Sequence, residues 1–209
     1  MSVKTAAERR ERTLFLVETA MLTAIIIIMA FTPLGFLKSG VVEITFLAVP
    51  VAVGAVMMGW KGGLILGTVF GLVSFAQCFG MSPLGVLIMG INPFLTFVVC
   101  VIPRMLTGFL TGLIFELVSK YDKKGSVGTC VVASLLCPIF NTIFFVSAFS
   151  LCFGMNPEVL NAFGAASLFG IITVLLTFNA LIEAGVCAVI GTAVSKALIV
   201  AVGRVRKAK

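Results

Sequence analysis

Six stretches of this chain are apolar for long enough, or nearly so, to cross a lipid bilayer, and almost nothing charged interrupts them. Spanning takes roughly 17–25 predominantly apolar residues. Hydrocarbon offers no water to satisfy backbone N–H and C=O groups, so such a run must close its own hydrogen bonds as a helix. The runs are about Leu14–Phe31, Thr45–Met58, Leu64–Phe79, Phe94–Val118, Val127–Phe153 and Leu168–Ile199. The second is short for a full crossing. Either it starts inside the bundle, or the loop before it folds back over the outer face. Between the runs, "PLGFLKSGVVEI" reads as a short loop and "GWKGG" as a turn. "GMSPLGVLIMGINP" reads as a long loop with a half-buried turn, and "SKYDKKGS" as a hydrophilic turn. "GMNPEVLNAFGAAS" reads as a loop with a short helix after Pro157.

Composition agrees. Of 209 residues, 60% are hydrophobic and 11% charged, against about 25% charged in soluble domains. The expected fold is an all-α integral membrane protein, with six transmembrane helices in one bundle and both termini cytoplasmic. It is a single membrane domain over 1–209. The bundle occupies 13–200, and basic tails lie at 1–12 and 201–209. The first run follows basic residues but lacks the short apolar region and small-x-small cleavage site of a signal peptide, so it reads as an uncleaved span.

The basic residues set the orientation. Lys4, Arg9, Arg10 and Arg12 precede run one, and Lys61 lies between runs two and three. Lys120, Lys123 and Lys124 lie between four and five; Lys196, Arg204, Arg206, Lys207 and Lys209 close the chain. Only Lys38 falls on the other side, and Arg104 is inside run four. Cytoplasmic loops carry the excess of Lys and Arg, so both ends belong in the cytoplasm. The same bias explains the net charge of +7. Nucleic acid is excluded as a partner because no basic face with interleaved aromatics exists.

Histidine is absent and the six cysteines show no C-x-x-C spacing. Metal sites and most intramembrane hydrolase designs are hard to build on that inventory. The cysteines read as small buried hydrophobes. No phosphate-binding G-x-x-x-x-G-K-[ST] loop occurs, so ATP, if used, is hydrolysed by another chain. Neither a metal nor a cofactor is expected.

Polar residues at membrane depth carry the functional signal. Gln77, Asn92, Arg104, Asn141, Asn179 and Glu183 sit inside or beside apolar runs. An acid or a cation there costs about 2.5–3.5 kcal/mol on insertion scales and marks a functional site by default. Asn179 and Glu183, four apart, share one helix face. Arg104 follows Pro103 and precedes Gly108 and Gly112, where another backbone or a ligand can come close. The asparagines and Gln77 are either interhelical hydrogen bonders or ligand contacts. Arg104 and Glu183 are either a structural ion pair or two walls of a cavity for a small polar molecule, with Arg104 gripping a carboxylate. Gln77, Asn92 and the outer-loop Glu158 would form a polar trail outward. Gly59, Gly63, Gly67 and Gly71 recur every fourth residue, a ridge for close helix packing. Ala20 and Ala24 in run one form a small-x3-small pair that by itself reads as packing.

Several stretches taken together resemble a known family. "GVVEITFLAVPVAVGAVMMGWKGGLILGTVFGLVSF", "SPLG…INPF…PRMLTG" and "FNALIEAGVCAVI" are similar to the substrate-specific S components of energy-coupling factor (ECF) vitamin transporters, over about 14–200. The nearest look is to the pantothenate and folate group. Trp60 in "GWKGG" stands where proline is common in that family. The resemblance implies a vitamin held near the outer face, pantothenate first and folate or another water-soluble vitamin as the alternative. Gln77, Asn92, Arg104, Asn141, Asn179 and Glu183 would contact it. It implies partners: a membrane coupling subunit, docked through Ala20 and Ala24, and two cytoplasmic ATPases. The S component would then topple in the membrane to deliver its substrate. A standalone ion-coupled transporter is the other reading, although the two halves show no inverted repeat.

Overall fold

The computed structural model describes residues 3–32, 35–39, 42–121, 127–162 and 180–207. Among these residues the fold is helical apart from one small hairpin. Helix α1 runs Val3–Ala30, α2 Ala48–Gln77, α3 Pro83–Ile91, α4 Pro93–Tyr121, α5 Val127–Phe153 and α6 Pro157–Ala162. The last helix comprises α7 (Ala180–Val186), a π-helical turn (Cys187–Gly191) and α8 (Thr192–Lys207). Among the described residues, five helical stretches are long and apolar enough to cross a membrane: Glu8–Ala30, Ala48–Gln77, Pro93–Lys120, Gly128–Phe153 and Glu183–Val200.

The second stretch is not straight. Gly59 has φ 69 and ψ −156, a conformation open to glycine and strained for other residues. Residues eight apart in a straight helix are separated by about 12 Å along the axis. Here a Cβ placed on Gly63 would lie 3.4 Å from the Ala55 Cβ. The chain therefore doubles back at Gly59 into two antiparallel segments, 48–58 and 60–77. The "GWKGG" turn falls where it is expected, and the first segment is the shorter one. Glu116 of α4 steadies the corner, its Oε1 accepting the Trp60 N–H at 3.2 Å.

Segment 60–77 lies against α4 along the glycine ridge. Cβ atoms on Gly63 and Gly67 would collide with the carbonyls of Gly108 and Arg104, and one on Gly71 would lie 2.7 Å from the Val101 Cα. From the other side, a Cβ on Gly112 would come within 2.6 Å of the Trp60 Cα. The ridge is thus packing within the fold. What approaches Gly108 and Gly112 closely is backbone.

Helix α1 lies at the edge. Leu22, Ile26 and Ala30, four apart, are buried against α2 with Leu47, Val51 and Leu66. Leu16, Met21 and Ile28 on its other faces are exposed. In a bilayer such faces meet lipid at no cost, since acyl chains are as apolar as leucine.

Two segments expected to be loops are structured. Strands β1 (Phe36–Ser39) and β2 (Val42–Thr45) form an antiparallel hairpin with Phe36 opposite Thr45. "SPLGVLIMGI" is helix rather than loop. Ser82 caps it by accepting the Gly85 N–H at 3.2 Å, and Pro83 holds the first helical position, where its missing N–H costs nothing. The glycines suggest a loop, but capping and an apolar face, with Ile88 buried beside Val99 and Phe149, override that. The short helix after Pro157 is present as α6.

Candidate ligand-binding site

Arg104 is held by its own helix. Pro103 has no N–H to give the carbonyl of Val99, one turn earlier. The Arg104 Nη1 donates to that carbonyl at 2.8 Å, so the cation repairs the gap its neighbour opens. Its guanidinium carbon lies 4.4 Å from the centre of the Phe145 ring of α5 and 5.7 Å from that of Phe70 in α2. Both distances fall within cation–π range. Two rings hold the guanidinium, yet its buried Nε has no hydrogen-bond partner among the described residues. Among the side chains described, no acid forms an ion pair with it. Glu183 acts on it only through the longer-range field.

Glu183 belongs to the last helix and is 4% exposed. Its Oε1 accepts the backbone N–H of Thr45 at 2.9 Å, which ties the end of the hairpin to this helix. Its Oε2 is buried without a partner among the described residues. Asn141 of α5 acts on the same carboxylate, and its own Oδ1 is buried and unpartnered. Three helices and the hairpin end therefore bring together a cation with an unused N–H and two oxygens that accept nothing from the described residues. Such groups are costly to bury unless something pairs with them. The set suits a ligand carrying an anion or acceptor at one end and hydrogen-bond donors at the other.

The other sequence candidates go elsewhere. Gln77 is buried, and its Nε2 donates to the Ala30 carbonyl at 2.6 Å, binding the ends of α1 and α2. Asn92 joins α3 to α4, its Oδ1 accepting from the Phe94 and Leu95 N–H groups at 3.1 and 3.2 Å. It is a helix cap. Glu158 is exposed at the start of α6. Asn179 lies outside the described residues. Ala20 and Ala24 are both exposed on the outward side of α1. Sequence reasoning misses Phe70, Phe145 and the Thr45 N–H. The pair Pro103–Arg104 with Val99 one turn before is a usable signal for the arginine's anchoring. The ring partners come from other helices and leave no such signal.

The family described as ECF transporter, substrate-specific component, matches residues 14–195. The chain belongs to that family. It is a substrate-binding component of a transporter, not a member of an enzyme family. Such components work with an ECF coupling module and ATPases. No curated relative matches this chain.

Proposed function

We propose that the protein is the high-affinity vitamin-binding S component of an ECF-type importer, with pantothenate as its substrate. The observation that carries this reading is the set of three buried atoms, Arg104 Nε, Asn141 Oδ1 and Glu183 Oε2, that have no partner among the described residues. Pantothenate offers a carboxylate for Arg104, and hydroxyl and amide donors for Glu183 Oε2 and Asn141 Oδ1. Charge-assisted hydrogen bonds of this kind contribute about 1.5–3 kcal/mol each, and the rings of Phe70 and Phe145 hold the guanidinium ready for one. Folate is the second reading. Its pterin would need aromatic surface, and phenylalanines are the rings this region supplies.

In this account the chain crosses the plasma membrane of a prokaryote six times, the two segments of α2 counting separately, with both termini in the cytoplasm. The distribution of Lys and Arg supports that orientation. A coupling subunit docks on α1 at Ala20 and Ala24, whose small side chains leave a smooth exposed face. Two cytoplasmic ATPases drive toppling of the loaded component, and this chain hydrolyses nothing. A body that rotates in lipid must keep charge off its belt. Arg104 and Glu183 face inward in keeping with that demand.

The test is mass spectrometry of the small molecule that co-purifies from native membranes in mild detergent. Pantothenate is expected. Folate would overturn the substrate assignment, and lipid alone would overturn the binding role.

A further inference from the structure

Two cysteines of different helices meet beside the ligand cluster. Cys78 closes the second segment of α2, and Cys100 sits in α4 one turn before Arg104. Both are buried, and their sulfurs lie 3.7 Å apart. The glycine ridge sets this approach. A Cβ on Gly71 would lie 2.7 Å from the Val101 Cα and 3.1 Å from the Cys100 carbonyl oxygen, so the two backbones already touch at this level. Cys78 Sγ donates to the Ser74 carbonyl at 3.3 Å, which holds the sulfur over the last turn of its own helix. Helix α3 lies on the same thiol, since a Cβ on Gly85 would come within 2.8 Å of Cys78 Sγ. A cysteine that serves only as a small hydrophobe packs against carbon, whereas these two face each other. Between Cys78 and α3 the chain makes an exposed turn through Phe79 and Met81, with open space around Gly80 at φ 136. That turn brings the surface next to the pair.

We propose that Cys78 and Cys100 are a peroxide-sensitive thiol pair that closes to a disulfide. Hydrogen peroxide is small and uncharged, which suits passage from the exposed turn to a buried sulfur. One thiol attacks it. An S–O bond forms as the O–O bond breaks, water leaves, and the sulfur becomes a sulfenic acid. The second sulfur then displaces the hydroxyl: the S–S bond forms, the S–O bond breaks, and the hydroxyl leaves with the second thiol's proton as another water. The peroxide thus takes up two electrons and both thiol protons. Rotation of the two side chains closes the gap, because the backbones are already in contact. The bond joins the end of segment 60–77 to the turn of α4 that precedes Arg104, so oxidation fastens the cation's helix to its neighbour. In the orientation that the Lys and Arg distribution supports, this end of α2 lies on the outer side, away from the cytosolic reductants that keep thiols reduced. A dithiol reductant reverses the closure.

The test is thiol counting on the reduced wild-type chain, one copy per nanodisc, before and after treatment with hydrogen peroxide. After quenching, the chain is denatured, its remaining thiols are capped with N-ethylmaleimide, and its peptides are mapped by mass spectrometry. The count of capped thiols is expected to fall from six to four, with Cys78 and Cys100 recovered in one cross-linked species that dithiothreitol separates. Six thiols still capped after peroxide overturn the proposal. Sulfinic or sulfonic acid at Cys78 or Cys100 without the cross-link overturns it too, as does a disulfide from either one to another cysteine. The wild-type chain carries the whole test, so no variant has to fold. Thiol counting reads the pair whether or not pantothenate binds, so this inference and the assignment of the ligand fail separately.

Discussion

At the scale of single residues, the membrane sorts polar side chains into those with a local partner and those without. Gln77 and Asn92 stand out in the sequence for the same reason as Arg104 and Glu183, being hydrophilic among apolar neighbours. The structure separates them by what they touch. Asn92 closes one helix and opens the next. Asn92→Ala should therefore cost about 1 kcal/mol of stability, the usual effect of removing a cap, and leave pantothenate affinity unchanged; thermal unfolding and titration calorimetry on the same preparation check both halves. Arg104 behaves differently. Arg104→Lys keeps the charge but removes the planar fork that bonds the Val99 carbonyl and lies between Phe70 and Phe145. It should weaken pantothenate binding by about tenfold or more, because a charge-assisted hydrogen bond to the carboxylate can no longer form in that geometry. An Arg104→Lys variant binding as tightly as the wild type would reduce the arginine to a generic cation.

At the scale of elements, periodicity and length locate the helices, while the connections between them are less legible. The glycine repeat from Gly63 to Gly71 is readable because a four-residue period of small side chains serves close helix approach, whereas Gly59, at the head of the same repeat, is the corner at φ 69. Its partner surface on α4, starting at Arg104 and ending at Gly112, is not, since which helix meets the ridge is a property of the tertiary fold. The hairpin Phe36–Thr45 and helix α3 look like loops in the sequence. Glycines and prolines punctuate those segments or their flanks, and pairing or capping decides their structure. The ridge gives a contrast to test. Gly108→Val drives a side chain into the Gly63 carbonyl and should destabilise by about 1–3 kcal/mol, the range for overpacking. Gly90 in α3 has open space around its Cβ position, so Gly90→Ala should be neutral or slightly stabilising. Thermal unfolding of the two variants in one detergent measures the difference.

At the scale of the whole molecule, the protein is an oily body with its ionisable groups either at its ends or inside. That distribution is legible from composition, because a charge facing lipid is too costly to be common. From Leu16 to Ile28 the exposed side of α1 carries only apolar and small side chains, Ala20 and Ala24 among them. Ala20→Trp or Ala24→Trp should leave pantothenate binding intact and abolish uptake by the assembled transporter, measured in proteoliposomes carrying the coupling subunit and ATPases. Normal uptake in both would place docking elsewhere on the surface. The most direct test of the central claim is calorimetric titration of pantothenate into the nanodisc-embedded chain and its Arg104→Ala variant. The account expects saturable one-to-one binding, weakened at least about tenfold by the substitution. Equal affinity in the two chains would contradict it.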